Sequence, residues 1–496
     1  MKLLFGDIHN HCGITYGYGG LQNAINNAKS HLDFCAITGH AFWPDMPPRD
    51  ENTAFLIDFH KKGFQKLVDH FDDIKATIKT NNEPHKFTTF YSYEMHSSFY
   101  GDHHVVSGDD DLKLLYADSP KEWWDKLKGF KDTVILPHHI AYTPGYRGIN
   151  WDAFDSTICP VVEICSKHGV SMSDRHPNAY YHNMGARDEH NTVYSGLKQG
   201  KIFGFVGSTD HHAGFPGSYG DCLLAVKAED NTRTAIMDAI KARRTYALTA
   251  DKIKCDFTVN GKDFGSVVHG DKGARHILFS VEGSDFFDKI VIFKNLKPIH
   301  IVNGEMIEAS GSDDTFKIRM EFGWGNTKDL YDWNFSVETD GEILETEQAF
   351  RGKSVLAPKE GETYDDDVNK IEDRVHLIDS HHLEGKVQTA KNISPTSPMT
   401  SAVIMTVKGT PDTKFNFTVN GKSHVLTLEE LTNWSFTYPE RNTNSQTFKV
   451  HRAVSKSQYT YSRGFVDFDD NNAFYHMEVK QANGSMAFVS PVYFVD

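Results

Sequence analysis

Short apolar runs alternate with amphipathic stretches up to about residue 245, and this alternation is typical of βα units. The apolar runs predict strands at 2–8, 33–38, 87–93, 133–136, 161–165 and 203–207. The amphipathic stretches predict helices at 21–29, 53–80, 120–127 and 232–243. A chain with this pattern folds into a parallel barrel or sheet, and its functional residues lie at the carboxyl ends of the strands.

Imidazole or carboxylate groups stand at or just beyond the exits of all six predicted strands. In chain order the strand-end groups are Asp7, His9 and His11; His40; Glu94, His103 and His104; His138 and His139; Glu163 and His168; and Asp210, His211 and His212. Buried polar groups are costly without partners, so these groups are hard to explain as core filling. Residues two apart on a strand face the same side, so His9 and His11 can bind one metal ion together. The pattern therefore predicts a metal site at the strand ends.

The composition agrees with a metal site and excludes some partners. The sequence has 27 histidines against 52 Lys+Arg, whereas its six cysteines form no CxxC pair, so neither a zinc knuckle nor a disulfide framework is indicated. Mixed imidazole and carboxylate ligands suit Zn²⁺, Mn²⁺ or Fe²⁺. A net charge of -15 argues against a nucleic-acid partner, and no long apolar stretch predicts a membrane span. We expect a cytoplasmic protein, with a periplasmic one still open if a leader was removed.

The second half of the chain reads as antiparallel hairpins. Alternating segments are punctuated by Asn-Gly and Asp-Gly turns, and the hexapeptide Phe-Thr-Val-Asn-Gly-Lys occurs at both 257–262 and 417–422. We predict two domains, 1–247 and 248–496, of which the second is a mostly antiparallel β-sandwich. A long insertion is expected at about 350–400, where the sequence is polar.

The order of the strand-end motifs resembles that of the PHP (polymerase and histidinol phosphatase) superfamily. The shared order is D-x-H-x-H, a strand ending in T-x-H, a strand-end Glu, a strand-end His and S-x-D-x-H, and it covers roughly residues 1–245. The segment after Arg243 and the C-terminal segment are similar to a PHP-like bacterial family of unknown function with a β-rich C-terminal part. The resemblance implies an α/β fold, a distorted (βα)7 barrel, in the first domain.

The resemblance also implies a ligand set with two or three divalent ions. One ion is implied at His9, His11, Glu94 and Asp210, a second at Glu94, His104 and His138, and a third at His40 and His212. Two departures concern the third ion. Gly39 stands where the family has a carboxylate, and the histidine that usually follows H-x-H has no counterpart. Tyr16 or Tyr18 is a candidate substrate contact in that place.

Further residues are predicted to contact substrate or to transfer protons. In each doubled pair, the histidine that is not a predicted ligand joins nearby basic, acidic and tyrosine groups in the predicted substrate set: His103, His139, Glu163, His168, Arg147, Arg175 and Tyr16. Lys167 also follows a strand and can contact an anion. The groups expected to assist proton transfer are Asp210, His212 and His40.

Three functions are consistent with these residues. The first is a metal-dependent hydrolase, most simply a phosphoesterase that uses a metal-activated water. The second is a metal-dependent lyase or dehydratase that acts on a carboxylated, uronic-acid oligosaccharide. The third is a non-catalytic glycan-binding protein in which the β-rich half binds the glycan. The expected partner in each case is a small-molecule or oligosaccharide substrate, anionic in the first two, and the oligomeric state stays open.

Overall fold

A computed structural model describes residues 1–175, 185–325, 330–353, 368–370, 374–389, 400–441 and 445–496. Most of the predicted insertion at about 350–400 lies outside these ranges. The helices are α1 Leu21–Lys29, α2 Ala54–Thr80, α3 Pro120–Leu127, α4 Val193–Lys198, α5 Arg233–Lys241, α6 Leu428–Asn433 and α7 Lys456–Tyr459, with short 3-10 helices at Glu189–Asn191 and Gly304–Met306. None of the helices in these ranges combines the length and hydrophobicity needed to cross a membrane.

The strands fall into two groups along the chain. The first half contains β1 Lys2–Asp7, β2 Phe34–Phe42, β3 Thr88–Met95, β4 His103–Ser107, β5 Thr133–Pro137, β6 Val161–Ser166, β7 Gly169–Val170, β8 Gly204–Gly207, β9 Leu223–Ala228 and β10 Thr245–Leu248. The second half contains β11 Lys254–Val259, β12 Lys262–Asp263, β13 Val267–His269, β14 Gly273–Glu282, β15 Phe287–Lys294, β16 Lys297–Asn303, β17 Thr315–Gly325, β18 Tyr331–Thr339, β19 Glu342–Ala349, β20 Val375–Asp379, β21 His382–Thr389, β22 Ser401–Lys408, β23 Lys414–Val419, β24 Lys422–Thr427, β25 Phe436–Pro439, β26 Gln446–Val450, β27 Val454–Ser455, β28 Thr460–Asp469, β29 Ala473–Gln481 and β30 Met486–Val495.

The first half is a mixed α/β structure rather than an all-parallel one. Strands β1, β2 and β3 pair in parallel, as do β6 and β8. The prediction of a parallel sheet is wrong for β4 and β9, which pair antiparallel with β3 and β1. Only seven residues separate β3 from β4, too few for the crossover that a parallel pair requires. The described hydrogen bonds leave β6, β7 and β8 as a separate sheet, so closure of a barrel stays a prediction.

Parallel pairing of β1, β2 and β3 brings their carboxyl ends to one edge. Asp7 on β1 pairs with Cys35, and His40 on β2 pairs with Glu94 on β3. All three strand ends are buried. The predicted strand-end residues of β1, β2 and β3 therefore lie at a common edge of the sheet, as the sequence pattern predicts.

The large sheet and its core continue beyond residue 247. Strand β10 pairs with β30, the last strand of the chain, and the sheet runs on through β29, β15 and β16. One hydrophobic core contains side chains of both halves, including Phe205 and Phe488. The boundary at 247/248 stays a prediction, and a continuous sheet crosses it.

The mostly antiparallel character of the second half is confirmed. Strands β19, β22, β17, β26 and β25 form one sheet, and β20, β21, β18, β23 and β24 form another. Their inner faces share one core, in which Trp333 is fully buried. Both copies of the repeated hexapeptide are hairpins whose Asn-Gly turns have positive φ, 51° and 68° at Asn260 and Gly261 and 47° and 79° at Asn420 and Gly421. Positive φ at both central positions marks the type I′ turn.

The buried carboxylate of Asp251 joins the loop after β8 to two different sheets of the second half. Asp251 accepts hydrogen bonds from Arg319 Nη2 at 2.6 Å and from Tyr219 Oη at 2.9 Å. It also accepts from Ser284 at 2.5 Å, Gln481 at 2.8 Å and Asn483 at 2.6 Å. We call Asp251 and these five donors the Asp251 cluster. Its donors come from distant parts of the chain, so the cluster fixes the loop that contains Tyr219 against the β-rich half.

Candidate metal centre

The strand ends bring all eight predicted metal ligands together. His9, His11, Glu94, Asp210, His104 and His138 are buried, and we call these six residues the metal cluster. His40 is buried beside it, and His212 lies beside it with a slightly exposed side chain. Within this group, donor atoms of His9, His11 and Asp210, of His9, His104 and His138, and of His11, His40 and His212 come close enough to share an ion.

His9 and His11 direct their lone pairs towards each other. His9 Nδ1 donates to Glu163 Oε2 at 2.9 Å, and His11 Nδ1 donates to the Thr38 carbonyl oxygen at 2.8 Å. A neutral imidazole that donates from Nδ1 has its lone pair on Nε2. The two Nε2 atoms are only 3.2 Å apart. Two facing lone pairs at this distance attract a cation. Although burial opposes it, the charges of Glu163 and Asp210 raise the pKa of His9 well above its usual value, so a proton binds there when no metal ion does.

Carboxylate oxygens face the same point. Asp210 Oδ1 lies 3.1 Å from His11 Nε2 and 3.5 Å from His9 Nε2. Glu94 Oε2 lies 3.7 Å from His9 Nε2, 3.6 Å from His11 Nε2 and 3.6 Å from His40 Nε2. Glu94 Oε2 is buried and has no hydrogen-bond partner. Because a buried acceptor without a donor is costly, the donor set of this site fits a divalent cation.

The second oxygen of Glu94 faces the histidines of β4 and β5. His138 Nε2 is 3.2 Å from Glu94 Oε1, and His138 Nδ1 is 3.1 Å from His104 Nδ1. The buried His104 Nε2 has no hydrogen-bond partner. The arrangement therefore agrees with a second cation site that shares Glu94 with the first.

The doubled histidines differ in where they point. His139 belongs to the site, with Nε2 3.4 Å from Asp102 Oδ2. His103 turns away, because its Nδ1 contacts the Gly101 carbonyl oxygen at 2.9 Å and its ring lines a separate pocket with Ile149. Of the predicted substrate residues, His103 is thus one that the structure does not bring to the cluster.

Two predicted residues hold the metal cluster from outside. Glu163 contacts His9, as described above, and burial raises the pKa of Glu163 to about 7 although the charge of His9 lowers it. His168 Nε2 lies 2.8 Å from Asp210 Oδ2, and His168 Nδ1 lies 2.9 Å from Tyr142 Oη. These contacts orient the His9 imidazole and the Asp210 carboxylate.

The predicted basic residues have three different environments. Arg147 Nη2 contacts Asp102 and His96 and lies 3.9 Å from Glu94 Oε1. Lys167 is buried, and its Nζ lies 2.5 Å from His212 Nδ1. Arg175 is exposed, and the described part of the chain shows no side-chain contact between Arg175 and the cluster.

Tyr16 lies against the metal cluster. Its ring stacks on His40 with 3.7 Å between centroids, and its Oη lies 3.1 Å from His96 Nε2. His96 Nδ1 in turn lies 3.0 Å from Asp102 Oδ2. The sequence analysis missed His96 and Asp102. His96 could have been found, since it follows Glu94 by two positions and so shares its face of the strand.

The pKa values of the site depend on burial and on close charges. Burial alone would raise the pKa of Glu94, but the surrounding imidazoles of His96, His40 and His138 hold it well below its usual range. The pKa of Asp210 is likewise low, because Lys167 and His9 outweigh burial. Burial lowers the pKa of His104 and His138 well below the usual value, which keeps both imidazoles neutral and able to bind a metal ion.

Comparison with known proteins gives distant similarities. No family model matches the chain. An uncharacterized protein of Chlamydia pneumoniae is 26% identical over 254 residues, which cover 46% of this chain and 40% of that protein. The match therefore covers less than half of the relative's length.

Two solved structures are also similar. One is a two-domain protein containing a predicted PHP-like metal-dependent phosphoesterase from Bacteroides vulgatus, at 10% identity over 86% of this chain and 94% of that chain, with a TM-score of 0.33. The other is the lesion-specific endonuclease EndoQ of Pyrococcus furiosus, at 13% identity over 48% and 56%, with a TM-score of 0.29. Likeness at these scores carries no argument about the reaction of this chain.

Proposed function

We propose that this chain is a metal-dependent phosphoesterase of the PHP type. The observation that carries the proposal is the donor set around Glu94 Oε2. The Nε2 lone pairs of His9 and His11, Asp210 Oδ1 and the unpartnered Glu94 oxygen face one another in a buried space. This arrangement suits a cation far better than it suits protein groups alone.

Two ions are proposed. His9, His11, Asp210 and Glu94 would hold the first, and Glu94, His104 and His138 would hold the second. Divalent ions in such a pair polarise phosphoryl oxygens and lower the pKa of a bound water. The identity of the metal is open among zinc, manganese and iron.

The surrounding residues keep the ligands in place. Glu163 fixes the His9 tautomer through Nδ1, and the Thr38 carbonyl oxygen does the same for His11. His168 Nε2 contacts Asp210 Oδ2, while Asp210 Oδ1 faces the imidazoles of His9 and His11. Because both oxygens of Asp210 are engaged, we assign it to metal binding and leave His40 and His212 as the proposed groups for proton transfer.

The test combines elemental analysis with a phosphoester panel. Protein purified without added metal should contain divalent transition metal and should hydrolyse phosphomonoesters or phosphodiesters such as the p-nitrophenyl esters. Chelation should stop hydrolysis, and restoring the metal should recover it. A metal-loaded protein that releases no phosphate or alcohol from any ester in the panel would contradict the proposal.

One observation favours the elimination reaction as a second proposal. Tyr16 Oη contacts His96 Nε2, which in turn contacts Asp102, so a tyrosine oxygen with a hydrogen-bonded imidazole lies beside the cluster. Burial and the charge of Glu94 raise the pKa of Tyr16 well above its usual value, so in an elimination this phenol would donate a proton to the leaving oxygen. Incubation with acidic oligosaccharides distinguishes the two reactions, because elimination produces the ultraviolet absorbance of an unsaturated uronate and releases no phosphate.

A further inference from the structure

The end of the site around His40 differs chemically from the rest of it. His40 and His212, with His11 nearby, bring imidazole nitrogens together there. The acidic groups of the site, Glu94 and Asp210, face the first cation position as described above. A third ion at this end would have to share Glu94 and Asp210 with the first ion.

A side chain at residue 39 would collide with Leu67 unless the end of the leucine side chain shifted. A Cβ atom on Gly39 would lie 2.6 Å from Leu67 Cδ1, well inside van der Waals contact. Leu67 on α2 is itself buried in the core, so such a shift would disturb its packing. Helix α2 thus fills with an aliphatic side chain the space that a carboxylate at residue 39 would use.

The same helix holds Tyr16 over His40. A Cβ atom on Gly63 would lie 2.5 Å from Tyr16 Cδ1, so only glycine allows α2 to approach the tyrosine ring this closely. The ring of Tyr16 covers one face of His40 at 3.7 Å. Besides this ring, the Thr15 hydroxyl contacts His40 Nδ1 at 3.1 Å.

A buried ammonium group supplies positive charge at this end. Lys167 is 2% exposed, its amide donates to the Thr209 carbonyl oxygen at 3.0 Å, and its Nζ lies 2.5 Å from His212 Nδ1. Its charge also lowers the pKa of Asp210, so that carboxylate balances part of it. An ammonium group has three N–H donors, and His212 Nδ1, which also lies 2.9 Å from the Asp210 carbonyl oxygen, can accept at most one of them.

We propose that Lys167 takes the place of a third cation, so that the chain holds two metal ions and its Lys167 ammonium binds an oxygen of the phosphoryl group. This inference rests on the proposed function and deepens it by naming a substrate-binding residue. The cation beside His212 disfavours a metal ion there, because like charges repel strongly in a buried site. Lys167 is positive without being a Lewis acid, so its part is to bind and orient an anion.

The experiment measures metal content and phosphate binding, both without turnover. The variants are Lys167→Met, Lys167→Arg and, as a matched control, Lys121→Met, which removes an exposed lysine on α3. Metal per chain is measured by mass spectrometry after dialysis against excess Zn²⁺ or Mn²⁺ and removal of free metal. Binding of inorganic phosphate to the metal-loaded proteins is measured by calorimetry.

We expect about two ions per chain in wild type and in Lys167→Met. Phosphate affinity should fall about 10- to 100-fold in Lys167→Met, should recover partly in Lys167→Arg and should stay unchanged in Lys121→Met. A third tightly held ion in wild type, or unchanged phosphate affinity in Lys167→Met, would overturn the inference. The wild-type metal count stands even if Lys167→Met fails to fold. Failure of ester hydrolysis would count against the proposed function, and these two readouts do not depend on it.

Discussion

The metal cluster and the Asp251 cluster are both buried and acidic, but they differ in whether the protein satisfies them. Asp251 accepts hydrogen bonds from five side chains, one of them the guanidinium of Arg319 at 2.6 Å. Glu94 Oε2 has no hydrogen-bond partner and instead faces imidazole nitrogens. The two carboxylates are thus similarly buried, but the described part of the protein supplies hydrogen-bond donors to Asp251 and none to Glu94 Oε2.

This difference teaches how a structural carboxylate can be separated from a functional one. A carboxylate whose lone pairs are filled by protein donors contributes to stability and needs no ligand. A buried carboxylate oxygen that lacks a donor and faces imidazole nitrogens can bind a cation. The Asp251 cluster fixes the β-rich half to the loop after β8, and the metal cluster has the donor set that the proposed cations require.

The largest effect is expected from Glu94→Gln. The amide cannot supply the negative charge that both cation positions share, so metal should be lost and hydrolysis should fall on the order of 10³-fold or more. The metal-free variant should be less stable than metal-free wild type, because a carboxylate whose pKa is held well below its usual range stabilises the fold in its charged form. Elemental analysis, steady-state kinetics and thermal unfolding check the three parts. Glu122→Gln, on the exposed surface of α3, is the matched control.

Asp251→Ala should lower the stability of the fold and leave the metal content unchanged. Removal of the carboxylate leaves Arg319 buried without its ion-pair partner, which costs about 3–5 kcal/mol in the free energy of unfolding. Metal content should stay that of wild type. Denaturant unfolding and elemental analysis measure both quantities. Loss of metal with unchanged stability would show that the two clusters had been assigned the wrong way round.

Glu163→Gln should weaken the metal cluster without abolishing it. Glu163 contacts His9 Nδ1 from the side away from the cations, and such contacts typically contribute about 10- to 100-fold to metal affinity or activity. A competition titration with a chelating dye measures the affinity. Affinity equal to that of wild type would mean that the Glu163 contact does not orient His9.

The contribution of Asp251 to the free energy of unfolding should decrease as the pH falls. Burial alone would raise its pKa, but Arg319 and Ser284 lower it below the ordinary value of 3.8. A carboxyl group with a lowered folded-state pKa stabilises the fold above its unfolded pKa, and the contribution disappears as the pH falls through the folded value. The stability difference between wild type and Asp251→Asn should therefore be constant above about pH 5 and shrink below about pH 4. A difference that shrinks with rising pH would refute the assigned sign.

The smallest effect is expected from His103→Ala. Its imidazole contacts the Gly101 carbonyl oxygen and lines a pocket separate from the metal cluster. Metal content should be unchanged, and hydrolysis should stay within about threefold of wild type. The neighbouring variant His104→Ala should lose metal. Equal losses in both variants would mean that the two histidines had not been separated correctly.

Much of the fold could be predicted because its signals are local. Helix α3 begins after Ser119, whose side chain accepts from the Glu122 amide at 3.2 Å, and Pro120 takes the first helical position. The two Asn-Gly hairpins likewise follow from backbone preference. Strand β4 was not predicted, since its five residues begin with two histidines and show no clear alternation.

The convergence of the strand-end residues could be predicted, but their geometry could not. Strand-end position identified His9, His11, Glu94 and Asp210, because parallel strands bring their ends to one edge. Nothing in the spacing shows that Leu67 fills the space beside Gly39, or that His103 turns away from His104. These features depend on contacts between segments far apart in the chain, which local patterns do not encode.

The most direct test is elemental analysis of wild-type protein purified without added metal, paired with the Glu94→Gln variant. The account predicts about two equivalents of divalent transition metal per chain in wild type and little in the variant. A wild type that is folded, free of metal and unable to take up Zn²⁺, Mn²⁺ or Fe²⁺ would contradict it.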